Sequence, residues 1–333
     1  MEARRPAGGG LTSRLREARA RRAPLLASGE TTACRMVNGE ADGVEGATVD
    51  WYDGVAVLSL YRPLPGPDER ALVEATAEAL SARAVYLKRR PRDGRAAAGA
   101  KEQLAPEAPA WGQPLPEHEA KESGLRFRIR PAQGMGVGLY LDMRETRAWV
   151  KANAAGRAVL NCFAYTCAFS VMARAGGARS AMDVDLSRRS LEWGEENARL
   201  NGLPVDGRDH LAGDVFEWLP RLRRKERRFD LVVLDPPSFA TSRRQVFAAG
   251  RDYPKLVSLA SRVLPDGGGV LVACCNLEKL PEDRFARMVE AGLESAGRRG
   301  RVVERFGPSG VDFPQAQGKA PGTWLKVLVL DVR

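Results

Sequence analysis

The chain has 333 residues, 44% of them hydrophobic, with a formal net charge of +10, so it can bury a large core, and two domains are the natural expectation. No apolar run approaches the roughly 18 residues a membrane helix needs, and the Arg-rich start has no secretory pattern, while Glu2 and Glu17 speak against a transit peptide. Cys34, Cys162, Cys167, Cys274 and Cys275 form no paired framework, which excludes a disulfide-stapled scaffold and fits reduced thiols in a cytoplasm.

Residues 1–30 carry seven Arg against three Glu, and Leu11, Leu15 and Ala18 give residues 12–27 the spacing of a basic amphipathic helix. Residues 31–122 read as a small α+β domain. Its short strands are expected at 34–37, 47–50, 55–60 and 84–87, with a helix over about 68–82. A Pro-, Ala-, Gly- and charge-rich linker follows over 89–122. Residues 125–129 alternate like an exposed hairpin strand and open the larger domain, 123–333. There, strands are expected near 157–161, 180–184, 208–211, 229–234, 268–274, 301–304 and 324–331, with helical patterns between them, such as 187–201 and 282–296. Seven strands alternating with helices predict a doubly wound α/β sheet of Rossmann-like type.

Three basic clusters, within 1–30 and at 88–95 and 221–228, suggest a polyanionic partner. The excess of Arg over Lys is also what GC-rich coding produces. The only histidines, His118 and His210, have no metal-ligand spacing with any cysteine, so no metal is expected.

Four motifs lie at predicted strand ends, where open α/β sheets bind ligands. The first strand runs into Asn161-Cys162-Phe163-Ala164-Tyr165-Thr166-Cys167-Ala168, a turn that normally calls for glycine and has none. The second ends Asp183-Val184-Asp185-Leu186-Ser187. An acid about 20 residues after the first turn is where a ribose finds its carboxylate, although Asp185 or Ser187 would serve equally as a helix N-cap. The third, Gly213-Asp214, places an acid where an adenine amino group can donate to it. The fourth is the apolar run 229–234 followed by Asp235-Pro236-Pro237-Ser238-Phe239. Two prolines stop the strand and stiffen the turn, which is also the plain reading of any proline-terminated core strand.

Together these residues resemble the bacterial S-adenosylmethionine-dependent 23S ribosomal RNA methyltransferases that make 5-methylcytosine or 7-methylguanine. The resemblance extends through Met36-Val37-Asn38-Gly39-Glu40-Ala41-Asp42-Gly43, Gly138-Leu139-Tyr140-Leu141-Asp142-Met143-Arg144, Glu196-Asn197, Leu200-Asn201-Gly202 and Trp324-Leu325-Lys326. It implies S-adenosylmethionine as cofactor and ribosomal RNA, or the large-subunit particle, as partner. Asp185 and Leu186 would hold the ribose side, and Asp214 the adenine. Asn161, Tyr165 and Thr166 would lie along the methionine part, with Tyr140, Asp142 and Arg144 closing over it. Asp235, Pro236, Pro237 and Phe239 would hold a flipped base, because ring atoms cannot be reached inside a stack.

The chain departs from the family pattern at three places. Cys167-Ala168 stand where relatives have glycines. The resemblance implies that the N-terminal RNA-binding (PUA) domain of larger relatives is lacking, and the basic residues of 1–30 are expected to replace part of its docking. The cytosine enzymes use a cysteine nucleophile after a Gly-Gly strand; here the gapless register puts Asn276 in its place. Cys275 serves only if the loop is shifted, and guanine-modifying relatives need no thiol. The alternatives are a methyltransferase of protein or small molecules on the same fold, or a catalytically degenerate RNA-binding or ribosome-assembly factor.

Overall fold

Val55, Ala56, Val57 and Leu58 are all buried in the middle of a sheet assembled from short apolar strands. The computed structural model describes residues 10–90, 104–241, 246–316 and 324–333. Its first unit comprises Met1–Leu141 and Ser309–Ala320. Here a five-stranded sheet takes the order β1 (Ala33–Asn38), β2 (Ala47–Tyr52), β3 (Val55–Leu60), β4 (Ala84–Arg89), β5 (Trp111–Gly112). Helices α1 (Leu11–Leu26) and α2 (Gly66–Leu80) share one core with it, through Leu15, Ala18, Met36, Leu58, Leu72 and Leu80.

The arginines of α1 work mostly inside this unit. Arg22 is fully buried and grips Asp42 with two bonds of 2.7 Å, a bidentate charge-assisted pair. Arg21 also pairs with Asp42, and Arg16 pairs with Glu78 at 2.6 Å. Arg14 and Arg19 bond the carbonyls of Gly43 and Ala79. Part of the basic cluster expected to dock RNA is thus engaged within the unit.

The expected linker contributes structure as well. Strand β6 (His118–Glu122) pairs with β7 (Leu125–Ile129). Phe127 and Ile129 are fully buried, so β7 is not the exposed strand its alternation suggested. The hairpin belongs to the first unit, whose boundary falls after Leu141 rather than at 122. Residues 91–95 of the second basic cluster lie outside the described residues.

The second unit, Asp142–Pro308 with Pro321–Arg333, contains β8 (Ala158–Cys162), β9 (Ser180–Asp185), β10 (His210–Ala212), β11 (Leu231–Leu234), β12 (Phe239–Thr241), β13 (Val246–Ala248), β14 (Gly269–Cys275), β15 (Gly300–Phe306) and β16 (Lys326–Val332). Its helices are α3 (Arg144–Asn153), α4 (Ala168–Ala175), α5 (Arg188–Leu200), α6 (Val215–Arg224), α7 (Ala249–Ser261) and α8 (Glu282–Glu294). The seven-stranded sheet runs β10-β9-β8-β11-β14-β16-β15. The first five strands are parallel, and β16 runs antiparallel to both its neighbours.

Both faces of this sheet are covered. Leu160, Val232 and Leu271 pack into one core, while Val159, Val233 and Val272 pack into the other. Burial on both sides explains why these strands read as continuous apolar runs. The order reverses between β8 and β11, and open α/β sheets bind ligands in the crevice at such a switch point. The expected doubly wound fold is borne out.

Candidate active site

The turn after β8 manages without glycine. Phe163, Tyr165 and Cys167 adopt φ of 61°, 48° and 59°, the left-handed region that ordinarily disfavours a side chain. Three contacts hold it there. The amide N–H of Tyr165 donates to Asp185 Oδ2 at 2.9 Å, and buried Asn197 donates to the Thr166 carbonyl at 3.0 Å. The Tyr165 ring lies 6.2 Å from that of Trp193.

Asp185 ends β9, and its Oδ1 accepts the Ser187 N–H at 2.8 Å. Each oxygen thus takes one backbone donor and keeps lone pairs for a ligand hydroxyl. Burial raises its pKa against those two N–H groups. Ser187, not Asp185, is the side-chain N-cap of α5, accepting from Ser190 N. Leu186 is exposed beside them. Asp214 caps α6 by accepting the Phe216 N–H at 2.9 Å, with Gly213 at φ 146° before it. A Cβ at Gly213 would lie 2.7 Å from the Trp218 indole nitrogen, so glycine is required there.

At the end of β11, burial and the Asp142 carboxylate push the pKa of Asp235 up to about 7, against the opposing Arg147 guanidinium. Trp324 Nε1 donates to Asp142 Oδ2 at 3.3 Å. Pro236 is buried and Pro237 exposed, and Phe239 stands 67% exposed. The Ser238 hydroxyl donates to Asn276 Oδ1 at 2.7 Å, so the Asp-Pro-Pro loop and the end of β14 meet through these two side chains.

Asn161 is fully buried, on the strand that leads into the turn, and donates to Asp183 at 2.8 Å. Arg144 is buried, 3.3 Å from Glu145, and Tyr140 is exposed in the first unit. Cys275 is only 1% exposed. Burial pushes its thiol up, more than the Leu277 N–H and the Lys326 ammonium pull it down. This corrects the expectation that a shifted loop could present it. Sequence reasoning missed Arg147, which carries no signal before the fold brings it to the sheet edge; Ser238 lay within the Asp-Pro-Pro motif, but its contact with Asn276 could not be read from it.

The sequence matches the S-adenosylmethionine-dependent methyltransferase family over residues 37–329. The chain belongs to that family. S-adenosylmethionine is its cofactor, and the acids at the ends of β9, β10 and β11 are disposed at the edge where such a ligand binds. The ribosomal RNA large subunit methyltransferase I of Aeromonas salmonicida (strain A449) is 32% identical over 324 residues, 96% of this chain and 80% of that protein. The ribosomal RNA large subunit methyltransferase of Deinococcus radiodurans is 36% identical over 301 residues, 87% of this chain and 72% of that one. The crystal structure of SMU.776 complexed with SAH superposes with a TM-score of 0.85 at 26% identity, covering 98% of this chain and 83% of that one.

Proposed function

We propose that this methyltransferase modifies a guanine of 23S ribosomal RNA at a ring nitrogen, by direct attack and without a cysteine nucleophile. The observation that carries the reading is the buried position of Cys275, while the next residue, Asn276, is exposed and accepts from half-buried Ser238. A covalent mechanism needs an accessible thiolate. Here the thiol is buried and its pKa raised. Relatives whose alignments cover up to 96% of this chain bear the names of large-subunit ribosomal RNA methyltransferases, which supports the RNA substrate.

The bound cofactor supplies an electrophilic methyl group on a sulfonium. Asp185 would accept the ribose hydroxyls with the lone pairs left by Tyr165 N and Ser187 N. Asp214 Oδ2 and the exposed Leu186 would meet the adenine, and the Tyr165-Thr166 turn would follow the methionine part. Phe239 would stack the extruded base. A guanine ring nitrogen would take the methyl group and its positive charge, the bonding pair staying with sulfur. No proton has to leave. Ionised Asp235 would stabilise that charge, in the way fixed groups act on developing charge in water-poor sites.

Nucleoside mass spectrometry of ribosomal RNA from cells with and without the gene tests the reading. A methylated guanine should vanish with the gene and return with the Cys275→Ala protein. Loss of a methylated cytosine, or failure of Cys275→Ala to restore the mark, would replace this mechanism by the covalent one. For cofactor binding, Asp185→Asn removes charge-assisted hydrogen bonds worth roughly 1.5–3 kcal/mol. Calorimetry should show the affinity for S-adenosylhomocysteine falling about 10–100-fold. Unchanged affinity would remove Asp185 from the cofactor site.

A further inference from the structure

Asn161, Asp183 and His210 are direct neighbours across β8, β9 and β10, forming a polar row through an otherwise apolar sheet. Cys167, at the N-terminus of α4, closes over it. The Cys167 thiol, an Asp183 carboxylate oxygen and a His210 ring nitrogen all lie within 4.8 Å of one another. We propose that Cys167, Asp183 and His210 are the ligands of a structural zinc ion beneath the cofactor turn.

The donor set and its geometry suit that ion. Zinc takes thiolate, imidazole and carboxylate, and bond lengths of about 2.0–2.3 Å in a tetrahedron set donor atoms about 3.3–3.6 Å apart. Asp183 Oδ2 and His210 Nδ1 face each other at 3.3 Å, an ion-pair distance, without the alignment of a hydrogen bond. The other oxygen, Asp183 Oδ1, is already fixed by Asn161 Nδ2 at 2.8 Å and the Ser170 hydroxyl at 2.6 Å. Metal-bound carboxylates are commonly oriented in this way from their far side, and the arrangement leaves Oδ2 turned to the cluster. Asn161 Oδ1, also buried and unpartnered, or a water fills the fourth position.

One divalent ion would displace the thiol proton to solvent and neutralise thiolate and carboxylate together. The same ion would tie three neighbouring elements under the Tyr165–Asp185 contact, stiffening the cofactor cradle.

The full chain, purified under reducing conditions, is titrated with zinc against a chromophoric chelator, and then with cobalt(II). The expected result is one zinc per chain, a raised melting temperature, and a thiolate-to-cobalt charge-transfer band. Cys167→Ser should abolish that band, and His210→Ala should weaken zinc binding at least tenfold. Folded wild-type protein that retains no zinc would overturn the proposal. So would a cobalt spectrum lacking the sulfur band, which needs no variant to fold. Equal zinc uptake by the Cys167→Ser/His210→Ala protein would place the metal elsewhere and likewise overturn it.

Discussion

Asp235→Asn is expected to abolish most methyl transfer and, at neutral pH, to make the protein harder to unfold. Removing a fixed group that faces developing charge typically costs about 10²–10³-fold in rate, and single-turnover assays should show a loss of that order. The wild-type rate should rise with pH as Asp235 ionises, from the free carboxyl's pKa of about 7. A cationic ligand beside it moves that midpoint lower. The residual rate of the variant should be flat across the same range. The folded state holds the Asp235 proton up to about 7, whereas the unfolded carboxyl releases it near 3.8. That proton's contribution to stability is therefore complete below about pH 4 and drains away as pH rises towards 7. The neutral amide has nothing to lose. At 1.36 kcal/mol for each tenfold in acidity the ceiling is about 4 kcal/mol, and solvent at this partly exposed residue brings the expected gain to about 1–2 kcal/mol. Thermal unfolding at pH 8 and pH 4 measures it: the variant's advantage should be present at the first and absent at the second. A variant that is no more stable at pH 8, or that transfers methyl groups normally, would remove Asp235 from the role assigned to it.

The legible parts of this molecule are those whose cause is local. Buried parallel strands announce themselves as apolar runs, so Asp185, Asp214 and Asp235 could be placed at strand ends before any contact was known. The row formed by Asn161, Asp183 and His210 could not, because it depends on the register of three strands far apart in sequence. Arg22 misled in the opposite direction. Composition gives it to solvent or RNA, but its partner Asp42 lies beyond the first strand, and only the folded unit brings the two together. β6 was hidden because a five-residue strand of His-Glu-Ala-Lys-Glu has no apolar pattern of its own. Cys275 shows the limit for chemistry: the sequence names the thiol, while its burial decides whether it can react.

Gly194→Ala is expected to destabilise the second unit and to weaken its cofactor cradle. A Cβ at that position would lie 2.3 Å from Cys167 Sγ and 2.6 Å from Cys167 Cβ, and the neighbouring turn is held in a strained conformation already. Overpacking of this kind costs roughly 1–3 kcal/mol, a fall in melting temperature of about 2–12 °C for a unit this size. The displaced turn would also carry Tyr165 N away from Asp185, so cofactor affinity should fall with it. The physical reason is an exchange of positions. Where relatives place glycine in the turn, this chain has Cys167, and it leaves the side-chain space on α5 empty at Gly194 to receive the thiol. In the metal-free protein, Cys167→Gly alone should be close to neutral in stability, since relief of a left-handed side chain, about 1–2 kcal/mol, offsets the loss of a small buried group. Combined with Gly194→Ala it should recover most of the lost stability and cofactor affinity, with a coupling energy of about 1–3 kcal/mol in the double-mutant cycle. The exchanged protein would have no thiol at 167 and should hold no zinc, which separates the packing role of that side chain from its role as a ligand. Additive effects in the cycle would show that the two positions are independent and that the glycine-free turn is stabilised by the contacts to Asp185 and Asn197 alone.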